Sequence, residues 1–397
     1  MKCTAKHCTQ WLGALLLLGA VGCASTPDNN PEVIPPLASP HAAPTASPLL
    51  RPTPDTAAPR MDGEARTFAW ADSLTTRQPR AQRVVSTEGR LPSDPVAQSS
   101  RHARLDWYGM LALAQAAKRT GDTRYASALD AYFAAWSAVY EPRANPIDET
   151  HFHQLILAFE TGEQFLTPTT HTQTLKLFRR MAEALFDPQR IRPGTERNNW
   201  QSHRIKLVAA VAFVLQDQTL IENSYAVFRR QVAANIDASG VVLDFRERDA
   251  LRYVVYSLEP LLTAALIAQQ HGQDWYGYQA KNGASLKSAL RWLAPYADGE
   301  KTHLEFQRTK IPFDRQRAAA GVKGFSGAWQ PSNATTCYQL AARLDATWVA
   351  RAVQLGDAPD WVELAYPSLL IDAARAGLPA LRPHAADNGT EVDDEMP

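Results

Sequence analysis

Two short stretches of this 397-residue chain concentrate the side chains able to hold an anion or move a proton. The first is Glu196-Arg197-Asn198-Asn199-Trp200-Gln201-Ser202-His203-Arg204, which runs directly into the apolar stretch Ile205 to Leu215. Asn199 and His203 are four residues apart, so a helix would carry both on one face. Asn198, Gln201 and Arg204 add amide and guanidinium donors, a set that can hydrogen-bond hydroxyl groups and neutralise a carboxylate. The same residues also suit a plainer arrangement, an N-capping asparagine above a core histidine. The second stretch is Leu243-Asp244-Phe245-Arg246-Glu247-Arg248-Asp249-Ala250-Leu251-Arg252-Tyr253, followed by Tyr256 and Leu258-Glu259-Pro260-Leu261. Arg246 and Tyr253 are seven apart, two turns along one stripe if the helix is continuous. A guanidinium beside a phenol favours the phenolate and tunes it toward taking a proton. Charges this dense also make solvated, self-paired surface, which is the competing interpretation.

These two stretches resemble the motifs of the alginate lyase family: an Asn-Asn-His stretch at a helix start, and an arginine with a tyrosine seven residues later in a Leu-Glu-Leu-x-Arg-Gly-x-x-Ala-Leu-x-Tyr setting. Further segments are family-like, among them Thr87-Glu88-Gly89-Arg90-Leu91-Pro92, Asn145-Pro146-Ile147-Asp148-Glu149-Thr150 and Phe313-Asp314-Arg315-Gln316-Arg317, so the resemblance runs from about Val84 to Leu355. It implies an all-α fold, an incomplete (α/α) toroid of antiparallel helix pairs, and a polysaccharide lyase that cuts an acidic polymer such as alginate by β-elimination. In that chemistry Asn199, with His203 or Arg246, would neutralise a uronate carboxylate. Tyr253 as phenolate would take the C5 proton and return it to the glycosidic oxygen when both lie on one side of the ring, leaving a 4,5-unsaturated end. No metal and no organic cofactor is implied. The chain departs from the pattern at Trp200, which stands where the family has histidine; His203, three residues on, keeps nearly the same helix face. His151 and His153 are rival candidates. Trp107, Tyr108, Trp200, Tyr256 and Trp329 are candidate stacking platforms for sugar rings, and Arg192, Arg197, Arg204, Lys310 and Arg315 candidate sources of positive potential.

Helices must position these groups. Apolar residues recur at three- and four-residue spacing through Leu105 to Leu111, Tyr125 to Trp136, Phe152 to Phe159, Leu175 to Leu185, Ile205 to Leu215, Ile221 to Val232, Tyr253 to Ile267, Leu286 to Leu293, Thr335 to Val353 and Val362 to Ala374. Breaks such as Gly121-Asp122, Pro188 to Gly194 and Asn235 to Gly240 separate them. Such a series leaves little room for a sheet and closes into a ring or runs as an open solenoid.

The ends read differently. Lys2 and Lys6 precede the apolar run Trp11 to Val21 and the small residues before Cys23, a sequence resembling a lipobox, so residues 1–23 are expected to be a lipoprotein export signal with Cys23 lipidated. Ala24 after that cysteine resembles the outer-membrane sorting pattern, which points to the periplasmic side of a bacterial envelope. Residues 24–62, rich in Pro, Ala and Ser, suit a linker, residues 63–380 the catalytic domain, and the acidic residues 381–397 a loose tail. With Cys3, Cys8 and Cys23 assigned to that segment, Cys337 is left as a buried, inert thiol, and a monomer is expected. Equal numbers of acidic and basic residues argue against a nucleic-acid binder. Two alternatives compete with elimination: an (α/α)-barrel hydrolase using Asp148, Glu149 and Asp244, and a non-catalytic exopolysaccharide-binding envelope protein.

Overall fold

The computed structural model describes residues 63–377. The expected export signal, Cys23, the linker up to residue 62 and the acidic tail lie outside the described residues. In chain order the helices are α1 (Gly63–Leu74), α2 (Pro95–Thr120), α3 (Thr123–Val139), α4 (Phe152–Gly162), α5 (Pro168–Phe186), α6 (Asn199–Val214), α7 (Gln218–Asn235) and α8 (Leu243–Arg248), then α9 (Leu251–Gln270), α10 (Leu286–Ala297), α11 (Pro312–Ala319), α12 (Thr335–Leu344), α13 (Val349–Leu355), α14 (Asp360–Ala365) and α15 (Leu369–Gly377).

Local signals set many of these ends. The Asp94 carboxylate accepts from the backbone N–H groups of Val96 and Ala97, Pro95 occupies the first turn, and Gly121 closes α2 in the left-handed region at φ 68°. Thr167, Asp217 and Ser285 cap α5, α7 and α10 in the same way. Long expected helices break where the backbone has a local alternative. The Asp345 carboxylate accepts from Thr347 N–H and ends α12, so the expected helix from Thr335 to Val353 divides. Pro367 separates α14 from α15 within the expected Val362 to Ala374 element.

An inner layer forms a ring: α2 packs on α4, α4 on α6, α6 on α9, α9 on α12, α12 on α14, and α14 back on α2. Outside it, α1 and α3 lie on α2, α5 on α3 and α6, α7 on α6, and α10 on α9. This is the (α/α) toroid, and its inner helices bury most of their surface, which is why α9 is apolar nearly all round. Trp107 belongs to this core and corrects the expected sugar platform: it is 0% exposed, with its ring centroid 5.3 Å from Trp136 and 5.1 Å from Phe152. Tyr108, about 100° further round α2, turns instead to α1, where its ring meets Trp70 at 6.1 Å. Both rings are thus committed to packing between helices. Cys337 is buried as expected, and burial raises its thiol pKa well above the usual value.

Candidate active site

The start of α6 is fixed by Asn198. Its side-chain oxygen accepts from Trp200 N–H at 3.1 Å and its amide donates to the Gly194 carbonyl at 3.2 Å, so this asparagine serves as the helix cap and not as the expected sugar ligand. One stripe of α6 then carries Asn199, His203 and Lys206. Gln201 and Arg204 lie on the other side of the helix and bind each other, so both expected substrate contacts are drawn away from that stripe.

Asn199 and His203 reach different partners. The Asn199 amide donates to the buried Asp244 carboxylate at 2.6 Å, and Asp244 also accepts from Asn235 at 3.1 Å and Ser257 at 2.8 Å. One carboxylate thus ties α6, α7, α8 and α9 together. His203 is buried, its Nδ1 2.7 Å from the Thr150 hydroxyl, its ring 4.2 Å from that of Tyr256. Burial pushes its pKa well below the usual histidine value, helped by the charges of Lys206 and His151 and opposed by the Tyr256 carbonyl, so the ring is neutral at physiological pH. Tyr256 in turn meets Tyr253 edge-on at 5.9 Å. Tyr256, a sequence candidate, is therefore the bridge between the histidine and the second tyrosine.

Tyr253 sits outside the main core. With Ile147, Ala250, Tyr256, Phe306 and Phe325 it forms a separate apolar cluster against which Trp200 packs. Two cations within this cluster meet Tyr253 itself. The Arg317 guanidinium donates to the phenol oxygen at 3.2 Å, and the Arg248 guanidinium lies 3.8 Å over the ring. Both are aimed by buried Asp314, which is 2.6 Å from Arg248 and 3.7 Å from Arg317. Tyr253 is only 3% exposed, enclosed by the side chains of this cluster.

Arg246 is the main correction. It is 56% exposed and pairs with Asp237 in the turn before α8. That turn is held by Gly240 at φ 89°, where a Cβ would collide with the Ser288 carbonyl oxygen. The seven-residue stripe assumed one continuous helix, but the chain breaks at Asp249, which adopts φ 53° between α8 and α9. Arg308 clamps the Asp249 carboxylate through its backbone N–H at 2.9 Å and its guanidinium at 3.1 and 3.2 Å. The break rotates α8 relative to α9 and delivers Arg248, not Arg246, to Tyr253.

Sequence reasoning missed Arg248, Arg317, Thr150, Lys206 and Arg104. Arg317 and Thr150 lie within segments quoted as family-like, and Lys206 continues the Asn199–His203 stripe by one turn, a spacing that could have identified it. Of the rival histidines, His153 donates from Nδ1 to the Thr150 carbonyl, 2.9 Å away, and packs on Trp361, while His151 lies under the fields of Arg104 and Lys206. Arg192 lies over the Trp200 ring at 5.6 Å and pairs with Glu88 at 3.5 Å. The carboxyl groups of the hydrolase alternative are already engaged: Asp148 accepts from Thr87 and Glu88 backbone N–H, Glu149 from Tyr140 and Arg143, and Asp244 as above.

The arrangement can therefore hold an anion on one side and move a proton on the other, within an apolar enclosure. The family model described as alginate lyase matches residues 52–303. Among solved structures, an alginate lyase from Bacteroides ovatus is similar with a TM-score of 0.58 and 18% identity, over 77% of this chain and 93% of that one. Alginate lyase A1-III from Sphingomonas species A1 gives a TM-score of 0.45 and 18% identity, over 66% of this chain and 90% of that one. No curated protein matches the sequence. Since the family model covers more than half of the sequence, the chain belongs to the alginate lyase family and is a polysaccharide lyase.

Proposed function

We propose that this lyase cleaves a uronate polymer of the alginate type by β-elimination with Tyr253 as the proton-transferring group. The observation that carries this reading is the phenol of Tyr253 held between Arg317 and Arg248 in an apolar cluster that also touches Tyr256 and, through it, His203. Elimination breaks the C5–H and C4–O bonds and forms a C4=C5 double bond. The hydrogen at C5 is only weakly acidic because the neighbouring carboxylate is already charged, so negative charge must be accommodated on that carboxylate as the proton leaves. Neutral His203 and the Asn199 amide supply donors on one side. On the other, a phenolate at Tyr253 takes the C5 proton while the two guanidinium groups stabilise its charge, and with the leaving oxygen on the same ring face it passes that proton to the oxygen. Trp200 stacks a sugar ring at the entrance, beside Arg192.

Elimination leaves a conjugated enoate that absorbs ultraviolet light, and hydrolysis does not. Incubation with separate polymannuronate, polyguluronate and polyglucuronate samples should give rising absorbance and shortened chains on at least one of them. Shortened chains with saturated ends, or no shortening of any, would end this reading.

We also propose export and lipid anchoring at Cys23, facing the periplasm from the outer membrane; the support is the charged, apolar and small-residue order of residues 2–23 and Ala24. Labelled palmitate should enter the wild-type chain and be absent from Cys23→Ser, and equal labelling of both would remove the anchor.

A further inference from the structure

His203 needs a defined tautomer, and two residues behind it determine which one. We infer that Thr150 and Lys206 are positioning residues that lock His203 with its proton on Nε2, keeping it a hydrogen-bond donor toward the site; the inference rests on the lyase reading above. Lys206 Nζ lies 3.1 Å from Thr150 Oγ1, and Thr150 Oγ1 lies 2.7 Å from His203 Nδ1. A lysine ammonium only donates, so the threonine oxygen accepts from it. Thr150 is buried, and its hydroxyl meets only Lys206 and His203 among the described residues, so Nδ1 is the one acceptor within reach of the hydroxyl hydrogen and the ring's own proton sits on Nε2.

Pro260 has no N–H to give to the carbonyl one turn back, that of Tyr256, whose backbone favours the protonated form of the His203 ring. Nε2 itself is buried, and its contacts fall short of hydrogen-bond geometry. A buried donor in this state is costly until a better acceptor arrives, and a uronate carboxylate is such an acceptor. The surrounding charges come from different elements: Arg104 on α2 acts on Tyr256 and on His151, which precedes α4 and faces His203, and Glu259 on α9 acts on Lys206. Burial lowers Lys206 to about 7, with Glu259 opposing, so the ammonium form that orients the threonine is fullest below neutral pH. All three side chains of the relay are buried, and they come from the loop before α4 and from two successive turns of α6.

The test combines nitrogen-15 spectra of histidine-labelled protein with kinetics on the best uronate polymer. The wild type should show His203 with an unprotonated Nδ1 and a protonated Nε2. Thr150→Val, which keeps the shape and removes the hydroxyl, should give a mixed or reversed tautomer and lower kcat by roughly 100-fold, with KM changed far less. Thr150→Ser should restore both the spectrum and the rate, and Lys206→Met should weaken the lock without touching the threonine. A wild-type Nδ1–H signal overturns the inference, as does a folded Thr150→Val protein with an unchanged tautomer or an unchanged kcat. If no uronate polymer is cleaved by the wild type, the lyase reading fails, while the spectra still decide the tautomer lock separately.

Discussion

Tyr253→Phe is expected to abolish enoate formation almost completely, lowering kcat by about 10³-fold, because a correctly positioned proton-transferring side chain contributes roughly 10²–10⁴-fold. The substitution removes one oxygen and leaves the ring's packing against Tyr256 and Phe306 intact. Binding of an oligouronate should therefore change little. Arg317→Ala should lose a large part of the rate as well, since it removes the hydrogen bond to the phenol oxygen. Arg246→Ala provides the contrast: its side chain is mostly in solvent and paired with Asp237, and exposed pairs contribute about 0–1 kcal/mol, so kcat should stay within about threefold. Equal losses in Arg246→Ala and Arg317→Ala would mean that α8 is oriented differently when substrate is bound. Spectrophotometric rates across these three variants separate the outcomes.

Asp244→Ala should produce the largest loss of stability among the site substitutions. Its carboxylate is wholly buried and accepts from Asn199, Asn235 and Ser257. Removing it strands these donors at a cost of about 1–3 kcal/mol each before relaxation, so a net loss near ~3 kcal/mol is expected. For a domain of this size that corresponds to a Tm lower by roughly 4–5 °C. Asn199 would also lose its anchor, so the activity that remains should show a weakened hold on the substrate carboxylate. Thermal unfolding followed by circular dichroism gives the first effect, and an unchanged Tm would show that the four-helix junction does not depend on this carboxylate.

The helices were legible because each buries a face against a ring of neighbours, which imposes the three- and four-residue periodicity seen at Phe152 to Phe159 or Ile221 to Val232. The Asn199–His203 stripe was legible for the same reason, and the N-capping role belongs to Asn198. The break at Asp249 was not. A left-handed aspartate within a charged run gives little local warning, and the ties that hold it come from Arg308, fifty-nine residues away. Without that break, a continuous helix would give Arg246 a stripe in common with Tyr253 and leave Arg248 on the surface. Arg317 was hidden differently. Its partner Tyr253 is sixty-four residues earlier, so only the folded chain brings the guanidinium to the phenol. Trp107 was misassigned because an aromatic residue in a Trp-Tyr pair looks the same in sequence whether it faces a groove or a core; here position 107 points inward and position 108 to α1.

On the proposed mechanism, catalysis survives the exchange of histidine for Trp200. Trp200 occupies the first turn of α6 and packs on the Tyr253 cluster, while His203, one turn deeper, is carried to Tyr256 by the same stripe that presents Asn199. On that reading, the exchange moves the neutral donor one turn inward and leaves an aromatic ring in the first turn of α6.

A crystal structure of the Tyr253→Phe protein with a uronate tetrasaccharide bears most directly on whether these groups act on one sugar ring. It should show one carboxylate within hydrogen-bond distance of His203 Nε2, with the C5 hydrogen of that sugar turned toward the edge of the aromatic ring at position 253 and Arg317 beside it. A tetrasaccharide bound elsewhere on the toroid, or one whose C5 hydrogen points away from position 253, would contradict the assignment of Tyr253 as the proton-transferring group.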